Sequence, residues 1–168
     1  MKKKYLEFYN NKKGFADFLL VAIVLFVLAI MVIVTYKIIN EFNDTIQGQS
    51  SVPDDEKAIL NTIKTNYVAV WDGLFLLFFI LIFIVLLVSA SLLDAHPAFF
   101  IVMVVITIIT GFIGMHLANT YSIFIENSSV SAEADEFTIM PFFFKNFPTV
   151  LIIMGMTTAI VLYFRPRE

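Results

Sequence analysis

The side chains with the clearest capacity for chemistry are Asp94 and His96, which stand two residues apart immediately before Pro97. A carboxylate beside an imidazole can bind a divalent metal or transfer protons. A metal site needs more ligands than this pair supplies, and Asp17 would add only one further carboxylate. The other histidine, His116, falls at the far end of the next apolar run and cannot join them. The sequence therefore predicts no metal site.

The same residues also have a structural interpretation. Pro97 at a first helical position needs no hydrogen-bond donor, and proline restricts the residue before it, so the preceding helix ends here. Asp94 or His96 can accept hydrogen bonds from free N–H groups at a helix start. We therefore interpret Asp94, His96 and Pro97 as turn and capping residues. For Asp17, one turn inside an apolar run, we favour an interfacial position over a proton relay.

The rest of the sequence offers no further pattern for catalysis or cofactor binding. It contains no glycine-rich phosphate loop, no HExxH, no GxSxG and no cysteine. None of the apolar runs carries a central charged residue, which transporters and proton pumps usually need. We predict that the protein is not an enzyme and binds no cofactor.

Four long apolar runs organise the chain. Each can cross a hydrocarbon layer about 30 Å thick at a rise of about 1.5 Å per residue. A composition that is 60% hydrophobic leaves no room for a separate soluble domain. The short connection between the second and third runs forces an antiparallel hairpin. We predict an all-α integral membrane protein, a single membrane domain of residues 1–168, with spans at about 15–39, 74–92, 98–118 and 148–164.

A helical extension is predicted for residues 40–71, between the first two spans. Ile39, Phe42 and Ile46 share one helical face beyond the first span, and Pro53 with the acidic residues after it begins a new helix. We expect a short extramembrane helical hairpin that projects from the membrane. The alternative lays residues 53–70 flat on the membrane surface, but their mixed polar face lacks the usual excess of lysine and arginine.

Residues 119–147 are predicted to form an outer loop that is acidic in its first part and rich in phenylalanine in its second. So much exposed phenylalanine would promote aggregation in water, and this favours an interfacial or re-entrant segment. Aromatic side chains often anchor a protein at the membrane–water interface. The predicted interface anchors are Tyr67, Trp71, Phe142, Phe143 and Phe144.

Small side chains recur along one line of the third span and, more briefly, of the fourth. Such lines let helix backbones approach closely in lipid. We favour packing within the chain over contact with another copy. The predicted helix-packing residues are Thr107, Gly111, Gly114 and Ala118 in the third span and Gly155 and Ala159 in the fourth.

The distribution of charge predicts the orientation. With four spans both termini share one side of the membrane, and that side receives seven of the 11 lysine and arginine residues. Ten of the 14 acidic residues fall on the opposite side. Basic residues favour the cytoplasmic side, so we predict that both termini are inside. The lysines of residues 2–13 either set this orientation alone, or set it and also bind anionic lipid headgroups or nucleic acid.

Three short segments resemble a known class of proteins: residues 91–100 (SLLDAHPAFF), residues 117–121 (LANTY), and Phe147 with Pro148 opening a last span. They resemble small multi-span membrane proteins of tailless icosahedral viruses that carry an internal membrane. The resemblance covers roughly the last two-thirds of the chain. It implies a structural role beneath the capsid, with the basic ends toward the genome and the acidic loops toward the shell, and it implies no catalytic residue.

Two functions are consistent with these features. The first is a structural or assembly protein of a membrane, in particular a virion internal membrane, that packs through its small-residue faces and contacts partners through its outer loops. The alternative is a small accessory, pore-forming or transport subunit of a membrane complex. The partners expected are the lipid bilayer, other membrane or capsid proteins, and a second copy of the chain.

Overall fold

A computed structural model describes residues 2–92 and 98–164, with side chains described for residues 20–91 and 100–164. This part of the chain is helical and contains no strand. Four of the helices are long and apolar enough to cross a membrane, which confirms the predicted all-α fold class. The helices are α1 (Lys2–Gln47), α2 (Asp54–Leu92), α3 (Ala98–Ile125), α4 (Ser131–Asp135), α5 (Ile139–Lys145) and α6 (Phe147–Phe164).

Helices α1 and α2 form a long antiparallel pair. The rings of Tyr36 and Tyr67 stack with their centroids 5.8 Å apart. Near the tip of the pair, Gln47 Nε2 donates a hydrogen bond of 3.0 Å to the carbonyl oxygen of Lys57. The acidic first turn of α2 complements its helix dipole. Because α2 runs without a break into its apolar part, residues 53–70 are no separate helix, and this continuity favours the projecting hairpin.

Helices α3 and α6 form the second antiparallel pair. Thr107 lies beside Gly155, and Gly114 lies beside Pro148 and Leu151. Contacts of α2 with α6 join the two pairs into one bundle. We call the end at which α1 connects to α2 the hairpin end of the bundle, and the opposite end the terminal end.

The segment predicted as an outer loop, residues 119–147, is largely helical. Helix α3 continues to Ile125, because Tyr121 and Ile125 keep an apolar face that is buried against the bundle. After a short turn, α4 and α5 follow. The helix therefore continues past residue 118, where the predicted span ends, and the segment predicted as a loop also contains two short helices packed at the hairpin end.

The outward faces of the four long helices are apolar along most of their length. Single exposed side chains need no explanation in a soluble protein, but faces of this extent fit contact with lipid. Exposed examples on each helix are Val24 and Val27 on α1, Leu77 and Leu81 on α2, Val105 and Ile109 on α3, and Ile153 and Ile160 on α6.

Candidate functional site around Asp72

Asp72 is a buried carboxylate on α2, only 7% exposed. Its Oδ2 accepts hydrogen bonds from the backbone nitrogens of Thr138 at 2.8 Å and Ile139 at 2.9 Å. Its Oδ1 accepts another from the backbone nitrogen of Met140 at 2.8 Å. The first N–H groups of a helix have no partner within that helix. Asp72 therefore caps α5 from a different helix.

The cap compensates for the lack of a local one. Thr138 occupies the N-cap position of α5, but its side chain makes no capping hydrogen bond. A negative charge is favourable beside the partial positive charge of a helix N-terminus, and hydrogen bonds to an ionised group are the stronger kind. Since both oxygens of Asp72 accept bonds from the backbone, the carboxylate is engaged in holding α5. Its geometry indicates a structural role rather than proton transfer.

The segment that Asp72 holds carries Phe144 into the centre of the bundle. Phe144 is fully buried, with 0% exposure. Its ring contacts aromatic rings from every long helix of the bundle, in stacked and edge-to-face arrangements that aromatic pairs prefer. The centroid distances from Phe144 are 6.3 Å to Phe26, 5.6 Å to Phe75, 6.0 Å to Phe79, 5.1 Å to Tyr121 and 5.9 Å to Phe147.

This position corrects the role predicted for Phe144. It is not an interface anchor, because three successive phenylalanines on a helix cannot all face outward and Phe144 takes the inward direction. Phe143 stacks on Phe79 with centroids 4.4 Å apart and is half-buried. Phe142 is 61% exposed. Of the three, only Phe142 keeps the free surface that the prediction requires.

Tyr67 and Trp71, the other predicted anchors, are half-buried on α2. Their rings lie 6.1 Å apart, and the Tyr67 hydroxyl donates a hydrogen bond of 3.3 Å to the carbonyl oxygen of Val32. Trp71 continues the series to Phe75, at 6.4 Å. These two residues therefore link α2 to α1 just before Asp72.

Tyr121, which packs in the aromatic cluster around Phe144, brings a buried hydroxyl group into it. Its side chain is fully buried, and its hydroxyl has no hydrogen-bond partner among the described residues. An unpaired buried hydroxyl is unfavourable. The ring itself contacts both Phe26 and Phe144, so its packing role is clear even though its hydroxyl contributes no bond.

The connection between α3 and α5 is also fastened to α1. Lys37 Nζ donates a hydrogen bond to the carbonyl oxygen of Ser129 and lies 3.5 Å from a carboxylate oxygen of Glu41. One residue earlier, the ring of Tyr36 meets Phe137 edge-to-face at 5.4 Å. The segment from α3 to α5 is thus held at both α1 and α2.

The small-residue line lies at the contact between α3 and α6. A methyl group added at Gly155 would come within 2.4 Å of Thr107 Oγ1, and one added at Gly114 within 2.9 Å of Leu151 Cδ1. One added at Gly111 would come within 3.3 Å of Ile152 Cγ1, which is also a tight contact. Ala118 and Ala159 are buried as well. These faces are used within the chain, so they are not free for another copy.

Most of the residues that the sequence singled out for possible chemistry fall outside the part of the chain whose side chains are described. Asp94, His96 and Pro97 lie outside the described residues, and the side chain of Asp17 does too. His116, the other histidine considered above, is exposed on α3. Within that part, no group of three or more His, Asp or Glu side chains could hold a metal ion.

In the predicted charge distribution, Asp72 is only one of the acidic residues of the outer side. A signal for its role was present, because Asp72, Phe75 and Phe79 lie on one helical face at spacings of three and four. A carboxylate in line with buried aromatic residues must find partners inside the protein.

No protein-family model, no curated protein and no solved structure matches the chain.

Proposed function

We propose that the protein is a structural or assembly component of a membrane, rather than a transporter or an enzyme. The observation that carries this proposal is an exposed apolar face on the projecting part of α2. Ile59, Ile63 and Val70 recur there at helical spacing, and each is exposed. They share their helix with Lys57 and Lys64, which belong in water. Apolar side chains exposed beside these lysines, in the part of α2 that projects into water, indicate a surface that binds a partner.

The interior of the bundle supports the same proposal. Phe144 and the rings around it occupy the centre at the hairpin end, where a conducting path would have to open. Two carboxylates are buried among the described residues: Glu133 lies on the short helix α4, and Asp72, on the long helix α2, is engaged by three backbone N–H groups. A binding or relay role for Asp72 would require those hydrogen bonds to be given up.

The chemistry of the face indicates what it binds. Two of the apolar residues, Ile63 and Val70, border a shallow groove. Its other lining residues are Thr62, Asn66, Tyr67 and Trp71. Asp54, Asp55 and Glu56 form the acidic first turn of the same helix, next to Ile59. The fitting partner is a protein that presents an apolar ridge flanked by basic residues. Contact with an acidic helix turn then adds orientation to the hydrophobic contact.

The resemblance of residues 91–100, 117–121 and 147–148 to virion membrane proteins points to a capsid protein as this partner. In that arrangement the protein lies in the internal membrane of a virion. Its hairpin end faces the shell, and its basic termini face the genome side. The charge bias supports this orientation, because most lysine and arginine residues lie toward the termini.

Single cysteines test the proposal cleanly, because the chain has no cysteine of its own. Ile63→Cys carries a thiol-reactive photo-crosslinker on the apolar face, and Thr65→Cys carries it on the opposite exposed face of α2. Crosslinking in the native membrane or particle should join the Ile63→Cys protein to one stoichiometric partner, identified by mass spectrometry. Equal yields from both positions, or products with lipid alone, would overturn the proposal.

A further inference from the structure

Two segments of the chain match the acceptor pattern for N-linked glycosylation, an asparagine followed two residues later by serine or threonine. The first runs from Asn43 to Thr45, and the second from Asn127 to Ser129. Such triplets arise often by chance, so the pattern alone identifies no site. The structure separates the two, because it places the first within α1 and the second in an exposed turn after α3.

The first asparagine is not accessible for modification. Asn43 is only 4% exposed, and its Oδ1 accepts a hydrogen bond of 3.4 Å from Gln47 Nε2. Residues two positions apart on a helix do not face each other. The hydroxyl of Thr45 accordingly donates a hydrogen bond of 2.8 Å to the carbonyl oxygen of Glu41. This triplet therefore has neither an accessible amide nor a hydroxyl directed at it.

The second asparagine is arranged in the opposite way. Asn127 lies two residues beyond the end of α3, and residues 126–129 are all exposed. Its Oδ1 accepts a hydrogen bond of 2.7 Å from the hydroxyl of Ser129 and another of 3.0 Å from the backbone nitrogen of Ser129. An asparagine side chain forms such a turn with the residue two positions on. Within the described part of the chain the Nδ2 of Asn127 donates no hydrogen bond, so both of its protons are available.

Further contacts hold this turn in one conformation. The carbonyl oxygen of Asn127 accepts hydrogen bonds from the backbone nitrogens of Val130, at 2.9 Å, and Ser131, at 3.0 Å. Lys37 Nζ on α1 donates a hydrogen bond to the carbonyl oxygen of Ser129. Because the turn is fixed at both of its ends, the hydroxyl of Ser129 stays against the amide with little further loss of chain entropy.

The position of the turn also suits a modifying enzyme. Helix α6 begins beside Gly114, since a methyl group added there would lie 3.3 Å from the Cα atom of Pro148. Helix α3 continues for 11 residues from Gly114 to its end at Ile125, about 17 Å at the rise of an α-helix. Asn127 therefore stands well beyond the level at which α6 begins. The charge distribution predicts that this hairpin end lies opposite the cytoplasm, on the side where N-linked oligosaccharides are transferred.

We propose that Asn127 is an acceptor for an N-linked oligosaccharide and that Asn43 is not. The donor is an oligosaccharide joined to a polyprenyl diphosphate. A base of the transferring enzyme removes one proton from Nδ2, whose acidity is increased by the two hydrogen bonds to Oδ1. The nitrogen then bonds to the first carbon of the sugar as the bond from that carbon to the diphosphate oxygen breaks, and the polyprenyl diphosphate leaves with the electron pair. Ser129 is a positioning residue and is not consumed.

Glycosidase treatment of the full chain, produced in a eukaryotic cell that glycosylates membrane proteins, provides the test. We expect the membranes to contain a species heavier by one oligosaccharide. Peptide N-glycosidase should return that species to the mass of the bare chain. The enzyme leaves an aspartate in place of the modified asparagine, so peptide mass spectrometry should find this conversion at residue 127 and not at residue 43.

Substitutions compare the site with a matched control. Asn127→Gln and Ser129→Ala should abolish the mass shift, whereas Ser129→Thr retains the hydroxyl and should keep it, which controls for misfolding. Thr45→Ala removes the hydroxyl of the other triplet, likewise at an exposed position, and should leave the shift unchanged. A chain without the shift, a shift that survives Asn127→Gln, or an oligosaccharide on Asn43 would each overturn the proposal. None of these results bears on crosslinking at Ile63.

Discussion

The carboxylate of Asp72 on α2 accepts a 2.8 Å hydrogen bond from the backbone nitrogen of Met140 on α5, across 68 residues of sequence. With the bonds from Thr138 and Ile139, this contact fixes where α5 begins. It thereby fixes the depth at which Phe144, five residues after Ile139, enters the bundle. A single acidic side chain thus positions the segment that fills the centre at the hairpin end.

Removal of this carboxylate should destabilise the protein strongly. Asp72→Ala leaves three backbone N–H groups at the start of α5 without their acceptor, in a buried place. We expect a loss of about 3 kcal/mol in the free energy of unfolding. Thermal or denaturant unfolding in detergent measures it.

Two control variants separate the cap from the charge. Asp72→Asn keeps one acceptor oxygen, so its loss should fall between that of Asp72→Ala and the unchanged protein. Asp55→Ala removes an exposed carboxylate from the first turn of the same helix and should cost only a few tenths of a kcal/mol. If Asp72→Ala behaved like Asp55→Ala, the cap would not be what holds α5.

Much of this fold follows from the sequence, because its determinants are local. The charge-free runs define the long helices, the turn after Gln47 defines the hairpin, and the recurring small residues mark the α3 and α6 faces that meet. The roles of Asp72 and Phe144 are different. They depend on contacts between residues far apart in the chain. A phenylalanine-rich segment next to a loop has the same composition whether its rings face lipid or the core.

Truncation of the central ring should be costly because it leaves a cavity. Phe144→Ala removes contacts with rings on all four long helices, and we expect a loss of about 3–5 kcal/mol. Phe142→Ala, two residues earlier on the exposed face, should change the stability in detergent by less than about 0.5 kcal/mol. Unfolding midpoints of the two purified variants compare them directly, and similar losses would contradict the buried position of Phe144.

The unpaired hydroxyl of Tyr121 predicts a stabilising substitution. Tyr121→Phe retains the ring that contacts Phe26 and Phe144 and removes a buried polar atom that has no partner. The free energy of unfolding should rise by about 1 kcal/mol. A decrease of the same size would show that the hydroxyl has a hydrogen-bond partner, such as a buried water, whose loss outweighs the gain.

Two glycine-to-alanine substitutions should act in opposite directions. At Gly155 the new methyl group would come 2.4 Å from Thr107 Oγ1. That hydroxyl donates a hydrogen bond of 2.8 Å to the carbonyl oxygen of Met103. The α3–α6 contact must therefore open, at a cost of about 1–3 kcal/mol. At Gly73 nothing lies within 4 Å, so alanine should stabilise the helix by about 0.5–1 kcal/mol.

The glycine effects can be checked by a double-mutant cycle. Thr107→Ala removes the two side-chain atoms nearest to the new methyl group, so it should recover part of the loss from Gly155→Ala. It should not alter the gain from Gly73→Ala, since that position is far from it. Unfolding of the three single variants and the two double variants with Thr107→Ala, beside the unchanged protein in one detergent, gives both coupling energies. Additivity at Gly155 and Thr107 would mean that the helices do not meet there.

The topology prediction concerns the membrane rather than the bundle. Helices α1, α2, α3 and α6 alternate in direction, so the hairpin tip and the turn before α4 should lie on one side and both termini on the other. Cysteines placed singly at Lys3, Ser50, Ser129 and Arg167 should react with an impermeant reagent from outside only at Ser50 and Ser129. The charge bias is the physical reason, because lysine and arginine concentrate toward the termini.

The pattern of labelling distinguishes the two ways in which this prediction can fail. Labelling at Lys3 and Arg167 alone would keep four spans but reverse the orientation, and the acidic hairpin would then lie on the cytoplasmic side. Labelling at Arg167 together with Ser50 and Ser129 would mean that α6 does not cross the membrane. Helix α6 packs against α3 through Gly114 and Gly155, so a surface position for α6 would require the small-residue contact to separate. The same experiment therefore tests the charge argument and the helix packing independently.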